Sequence, residues 1–323
     1  MGLCCIFLLL LLLCVPSNGY ILAHIPQVVT CKDIRTKSKV ILVGSVHFNP
    51  ASIALARKTV AAEENLGAVV VESCEARWKR SLEVSPEGSF LGDVLPSEMQ
   101  AAALVAKDRG VPLSLGDVDI NDFSPRLKVI LKETLADLFS PAGWGRIAKD
   151  VQRGASLAFD TTTLADSLQP TDFIRSDVLL GFAVSLIRYP IAAALKAPVP
   201  FAIFAIFATS MTLGSTQLDS AIANAEASGD ANLALTIALS IFNVLLPIVF
   251  ARLLLVGFLE ERNVRLARSI SEAAERGNVI AILGGLHVNG VAKLLESEDA
   301  LTGDGGGDKK AGTWWTEEMI NKI

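Results

Sequence analysis

Two matching passages far apart in the chain constrain its fold more than any other feature. Gly44-Ser45-Val46-His47 follows the apolar run Val40-Ile41-Leu42-Val43. Gly284-Gly285-Leu286-His287 follows Val279-Ile280-Ala281-Ile282-Leu283. Short β-branched runs that end at glycine read as buried strands. Each would deliver an imidazole to the carboxyl edge of a sheet, where open α/β sheets bind their ligands. The chain has three histidines, and two of them occupy these equivalent places. Gly44 and Gly284 let backbone or ligand approach where a Cβ would obstruct.

The text after the first passage alternates strand and helix. Residues 40–46 read as a strand. Asn49-Pro50 supplies an N-cap and an N1 proline for a helix over 51–65. Residues 68–72 are a second strand ending at Glu72, 75–80 a charged short helix or loop, and 85–92 a turn-rich stretch. A helix over 97–109 closes at Gly110, and a third strand, 111–115, runs into Gly116-Asp117-Val118-Asp119. This βαβαβ order implies a mainly parallel sheet flanked by helices, an α/β fold. Residues 124–178 read as a helical connector. The pattern resumes with a charged helix over 259–276, the strand 279–283 and a helix beginning at 289.

Composition adds a membrane to the picture. Of 323 residues, 51% are hydrophobic, and the mean hydropathy of +0.46 is high for an ordinary soluble enzyme. Two uncharged windows, 197–218 and 231–251, each have about the ~20 residues a spanning helix needs. The segment between them carries Asp219, Glu226 and Asp230 but no Lys or Arg. The outer flanks carry Arg188, Lys196, Arg252, Arg262, Arg265 and Arg268. That is the charge layout of a transmembrane hairpin with its base on the positive side, though two helices buried against the sheet would share the windows. Residues 1–19 resemble a secretory signal peptide without a basic n-region. The expected division is therefore a signal-like segment (1–19), an α/β part (39–177), a hydrophobic insertion (178–258), a second α/β part (259–300) and a Gly-rich tail (301–323). A membrane is the expected partner, entered through the secretory pathway, with a plastid or other organelle membrane as the alternative. The net charge of −5 argues against nucleic acid. Of five cysteines, only Cys31 and Cys74 lie beyond the first apolar stretch, without metal-ligand spacing.

The polar residues at the strand ends form a candidate site. His47, Glu72 and His287 make a reasonable ligand set for a divalent transition metal. Such a metal activates water and polarises a carbonyl, and a spare carboxylate serves as base. Glu72, Glu260, Glu261 and Arg262 are the candidate catalytic groups. Arg77, Asp117, Asp119 and Asn263 are candidates for substrate contact or structure. Plainer readings stand beside these. Glu72 could pair with Arg77, Asp117 and Asp119 could form turns, and 260–268 could be a solvated helix face.

These residues resemble the TraB/PrgY/GumN family. The resemblance rests on GSVH followed by Asn49-Pro50-Ala51-Ser52, on Val69-Val70-Val71-Glu72-Ser73-Cys74-Glu75-Ala76-Arg77-Trp78, and on Gly116-Asp117-Val118-Asp119-Ile120. It is completed by Glu260-Glu261-Arg262-Asn263 and the closing GGLHVNGV. It covers 40–122 and 258–295, and Val118 stands where the family usually has arginine. The resemblance implies a fold related to the Tiki metalloproteases and, more distantly, to erythromycin esterase-like and haem-binding ChaN-like proteins. It maps His47, Glu72 and His287 onto the active site, with residues 260–263 overlapping the remaining motif. A membrane-attached, metal-dependent hydrolase acting on a peptide or small-molecule substrate is the leading expectation. The alternatives are a non-catalytic membrane adaptor or signalling regulator, and a haem- or small-ligand-binding protein.

Overall fold

The computed structural model describes residues 26–159, 166–199 and 245–297, with positions 164, 201, 202, 205, 209 and 241. The signal-like segment, the Gly-rich tail and most of both uncharged windows lie outside the described residues. The first half of the chain runs β1 (Val28–Lys32), β2 (Lys39–Ser45), α1 (Pro50–Ala62), β3 (Leu66–Val71), α2 (Glu75–Val84), α3 (Phe90–Val94), α4 (Glu98–Asp108) and β4 (Leu113–Leu115). Helices α5 (Ile120–Leu138), α6 (Pro141–Phe159) and α7 (Ser176–Lys196) follow. A π-helical stretch, Leu253–Glu261, leads directly into α8 (Arg262–Ala273), β5 (Asn278–Gly284) and α9 (Gly285–Leu295).

The strands form one sheet in the order β1-β2-β5-β3-β4, mixed because β1 is antiparallel to β2 while the other pairs are parallel. The last strand in sequence is thus inserted between the first two parallel ones. Ser45 pairs with Gly284 and Gly44 with Leu283, so the two Gly-x-x-His passages leave neighbouring strands at the same level. Alternation at period two then sorts the side chains onto the two faces. Ile41, Val43, Val69, Val71, Ile280 and Ile282 pack with Ala56 and Val60 of α1 and Ala102 and Ala106 of α4. Val40, Leu42, Val70, Ala281 and Leu283 face the other way, onto α8 and α9. A sheet buried on both faces accounts for the continuous apolar runs in the sequence.

Several boundaries differ from the sequence reading. Edge strand β1 precedes the first strand expected from sequence; it has only five residues, two of them exposed. The residues expected to be a short charged helix or loop form ten-residue α2, and α3 occupies part of the turn-rich stretch. Helix α9 begins at Gly285, four residues before the expected start, so His287 sits in its first turn rather than in a loop.

The flanking cations are redistributed. Arg252, beside the second uncharged window, is buried among Asp150, at 2.6 and 3.0 Å, and Asp137, at 2.9 Å. Among the described residues, Ser176–Lys196 is the helix long and apolar enough to cross a membrane. It lies before both uncharged windows. It is also tied to the domain at each end. Asn49 Nδ2 donates to Val178 O at 2.9 Å, Arg80 Nη2 to Leu195 O at 3.1 Å, and Lys196 Nζ to Ser81 Oγ at 2.8 Å.

Candidate functional site

The site grows from the carboxyl edges of β2, β5, β3 and β4. Asn49 caps α1 by accepting from Ala51 N at 2.9 Å, so the chain must turn sharply between β2 and α1. Phe48 takes φ +61° in that turn, a conformation rare for a bulky residue. Glu98, at the start of α4 and 2% exposed, holds the turn with both carboxylate oxygens. Oε1 lies 2.7 Å from His47 Nδ1, and Oε2 accepts from Phe48 N at 3.2 Å. A carboxylate only accepts, so His47 Nδ1 carries a proton and Nε2 faces the cleft. Burial works against a charged imidazole here, but the charge and hydrogen bond of Glu98, with Glu72 behind, outweigh it and raise His47 to about 9. Tyr189 of α7 stacks beside the ring, with centroids 6.1 Å apart and planes 19° apart.

His287 is anchored in the same manner. Its Nδ1 meets Asn263 Oδ1 at 2.6 Å, and its Nε2 lies 3.4 Å from Glu72 Oε1. Burial lowers its pKa, and Glu72 offsets this only in part. Glu72, one residue beyond β3, accepts from Gly284 N at 2.5 Å through Oε2 and from Arg262 Nη2 through Oε1. Burial would raise this carboxyl; His287, Arg262 and His47 reverse the effect and bring it to about 2.

Behind Glu72 lies a second carboxylate. Asp117 is clasped by Arg262, whose Nε reaches Oδ1 at 3.0 Å, and by Arg77 Nη2. The two guanidiniums overcome burial and hold Asp117 far below the usual carboxylate range. Arg262 is raised in turn, because Glu72 and Asp117 outweigh its desolvation. The cluster is thus a nearly neutral lattice of alternating charges, closed below and open at His47 and Arg77, which are 31% and 38% exposed.

Gly284 is the point of convergence. A Cβ there would lie 3.3 Å from His47 Nε2, 3.3 Å from Glu72 Oε2 and 3.7 Å from His287 Cδ2. The two imidazoles therefore reach a common point. Gly44 does different work: a Cβ there would meet Leu168 Cδ2 at 3.0 Å and Val288 Cγ2 at 3.2 Å.

Of the residues singled out from sequence, His47, Glu72, Arg77, Asp117, Arg262, Asn263, Gly284 and His287 come together. Glu260 and Glu261 do not. Glu260 bonds Arg153 of α6 at 2.6 Å, and Glu261 bonds Arg126 of α5 at 3.0 Å. Both correct the expectation of catalytic carboxylates, and the π-helical stretch is the reason. Its wider turn resets the register just before Arg262, sending the pair to the helical layer and Arg262 to the sheet edge. Asp119 caps α5 by accepting from Asn121 N at 2.8 Å, which is the turn-forming role. Glu98 was missed. Its one sequence signal is Ser97-Glu98 opening a helix, which marks any N-terminus.

Among the described residues, no three His, Cys, Asp or Glu side chains stand as a ready metal cage. Two features nevertheless fit a divalent metal. Each imidazole is held through Nδ1 by an acceptor, as metal-binding histidines usually are. Each oxygen of Glu72 also keeps a lone pair beyond its present bonds. No protein-family profile matches this chain, and no curated protein matches it. The class is therefore defined by fold and site alone: a mainly parallel α/β protein with paired imidazoles and carboxylates at its sheet edge.

Proposed function

We propose that the chain is a TraB/Tiki-like, metal-dependent hydrolase held at a membrane by a hairpin within 197–251, and that it acts on peptide bonds. The observation that carries this reading is the convergence of both Gly-x-x-His imidazoles and Glu72 on Gly284. His47, His287 and Glu72 would hold a divalent metal, which supplies Lewis-acid activation of water and of a carbonyl. The remaining chemistry belongs to the chain. Glu98 and Asn263 fix the ring orientations, so that each Nε2 faces inward. Arg262 holds Glu72 in place and presents fixed positive charge where negative charge develops on a carbonyl oxygen. Arg77, partly exposed at the mouth, is placed to orient a polar substrate group.

A metal-free, ligand-binding role for the same pocket, as in an adaptor, draws on one specific observation. Arg262 lies directly on Glu72, and a guanidinium there repels a dication and suits an anionic ligand. Glu72→Gln separates the readings. If Glu72 is the base, peptide turnover measured with added divalent metal falls by roughly 10²–10⁴ while metal stays bound. If it is a ligand, metal affinity falls as well. Wild-type protein with no turnover in any metal, together with intact cellular function, would favour the adaptor.

A further inference from the structure

Helix α7 leaves one long face uncovered. Its buried positions, Val178, Gly181, Ser185 and Ala192, form a narrow stripe of small residues against the domain. Leu179, Leu180, Phe182, Leu186, Ile187 and Ile191 point outward and are between 46% and 76% exposed. The ties at Val178, Leu195 and Lys196 hold the helix along the domain at both ends. A helix held lengthwise with an apolar outer face has the form of one lying in a membrane interface.

Beside it, a cleft of about 390 Å³ is lined by Pro50, Ile53, Ala54, Arg57, Pro96 and Arg188. It lies against the start of α1 and the turn before α4, next to the loop that carries His47. Arg188 comes from α7 itself and Arg57 from α1. Neither has a carboxylate or hydrogen-bond partner among the described residues, whereas the arginines of the candidate site are all paired. Two unpaired guanidiniums over an apolar floor, at the border of an apolar helix face, suit a phosphate joined to a hydrocarbon.

We infer that the outer face of α7 lies flat on an anionic lipid surface, with Arg57 and Arg188 gripping a headgroup phosphate in this cleft. Continuity within the chain favours lipid over other occupants. The exposed face runs at Lys196 straight into the uncharged window 197–218, so the segment that follows α7 has the composition of a membrane segment. The inference rests on the membrane attachment proposed above and is independent of hydrolysis. Because Tyr189 of the same helix covers His47, the docked surface would also lie beside the mouth of the site.

The test uses the full chain reconstituted in vesicles of neutral lipid, or of neutral lipid with phosphatidylserine, with a fluorescent amino acid in place of Leu186. The expected result is quenching by lipid-borne quenchers and protection from aqueous acrylamide in the anionic vesicles. Arg57→Gln/Arg188→Gln should then lower the ratio of immersed to exposed probe by roughly tenfold or more. Quenching by acrylamide alone overturns the inference. Protection from both quenchers also overturns it, because protein then covers the face; crosslinking between copies would identify a second molecule, and its absence the chain's own residues. Lipid quenching that ignores both lipid charge and the arginine changes overturns the headgroup contact. Inorganic phosphate that binds through the two arginines without any probe immersion marks a soluble-phosphate site and overturns the lipid source. Carbonate extraction run in parallel reads the hairpin separately. If it releases the chain, the hairpin fails, and sedimentation of the released chain with anionic vesicles still decides for or against α7.

Discussion

Gly284→Ala separates the site from the scaffold. The backbone at 284 has φ −60° and ψ 140°, which alanine adopts without strain. Removing a glycine also restricts the unfolded chain, which stabilises by about 0.4–1 kcal/mol. The new methyl lies 3.3 Å from both His47 Nε2 and Glu72 Oε2, so these side chains must yield by a few tenths of an ångström. The two effects oppose each other, and the net stability change should stay within about 1 kcal/mol. The effect on the site is larger. A divalent ion shared by both imidazoles would need each ligating nitrogen at ~2.0–2.1 Å, and a methyl crowding His47 Nε2 and Glu72 Oε2 displaces two of the groups that would hold it. Turnover should fall by at least about tenfold, a fraction of the ~100-fold cost of a full 1 Å misplacement. Gly44→Ala is the internal control from the matching passage. Its methyl meets Leu168 and Val288 in the core, at 3.0 and 3.2 Å, and should cost about 1–3 kcal/mol of overpacking while metal binding persists. Urea unfolding and metal titration of both variants decide the matter. Full metal binding by Gly284→Ala, or a folded Gly44→Ala that has lost the metal, would refute the division of labour between the two glycines.

Two further predictions concern the groups behind the first contacts. Glu98→Gln keeps the shape of the anchor but removes its charge, so His47 should titrate well below about 9, measured by NMR on metal-free protein. Because the folded value is raised, the wild-type pair stabilises fully below the unfolded value of ~6.5 and loses that contribution as pH rises through about 9; Glu98→Gln should flatten this fall, and an unmoved His47 titration would refute the assignment. Asp117→Asn leaves buried Arg262 short of one counter-charge and should cost about 3–5 kcal/mol in urea unfolding, less whatever Glu72 compensates. Asp117 is depressed in the folded state, so its contribution is present above ~3.9 and is lost as pH falls through the lower folded value; the variant should lose less stability in acid than wild type, and an equal loss would count against the network.

The sheet was legible because its signals are local. Continuous β-branched runs ending at glycine mark strands buried on both faces, and Asn49-Pro50 marks the helix that must follow. The pairing of His47 with His287 was legible because the pattern repeats. Other parts depend on what the sequence does not write down locally. Strand β1 is a short edge strand whose pairing comes from β2, 11 residues on. Glu260 and Glu261 were misplaced because helical periodicity assumes a regular α-helix, and the π-helical stretch breaks that register. Glu98 was missed because its role is tertiary: it reaches back 51 positions to hold His47. For Arg252, sequence shows a charge beside an apolar window but not the two aspartates that bind it.

The central claim is that the imidazoles of the two Gly-x-x-His passages serve one metal. Titration of purified, metal-stripped full-length protein with Zn²⁺ and Mn²⁺, in wild type and in the His47→Ala and His287→Ala variants, tests it directly. The account predicts one equivalent bound by wild type and loss of that binding in either single variant alone, since two ligands just beyond the ends of neighbouring strands would act on the same ion. Retention of the metal by either variant, or no binding by wild type, would contradict it.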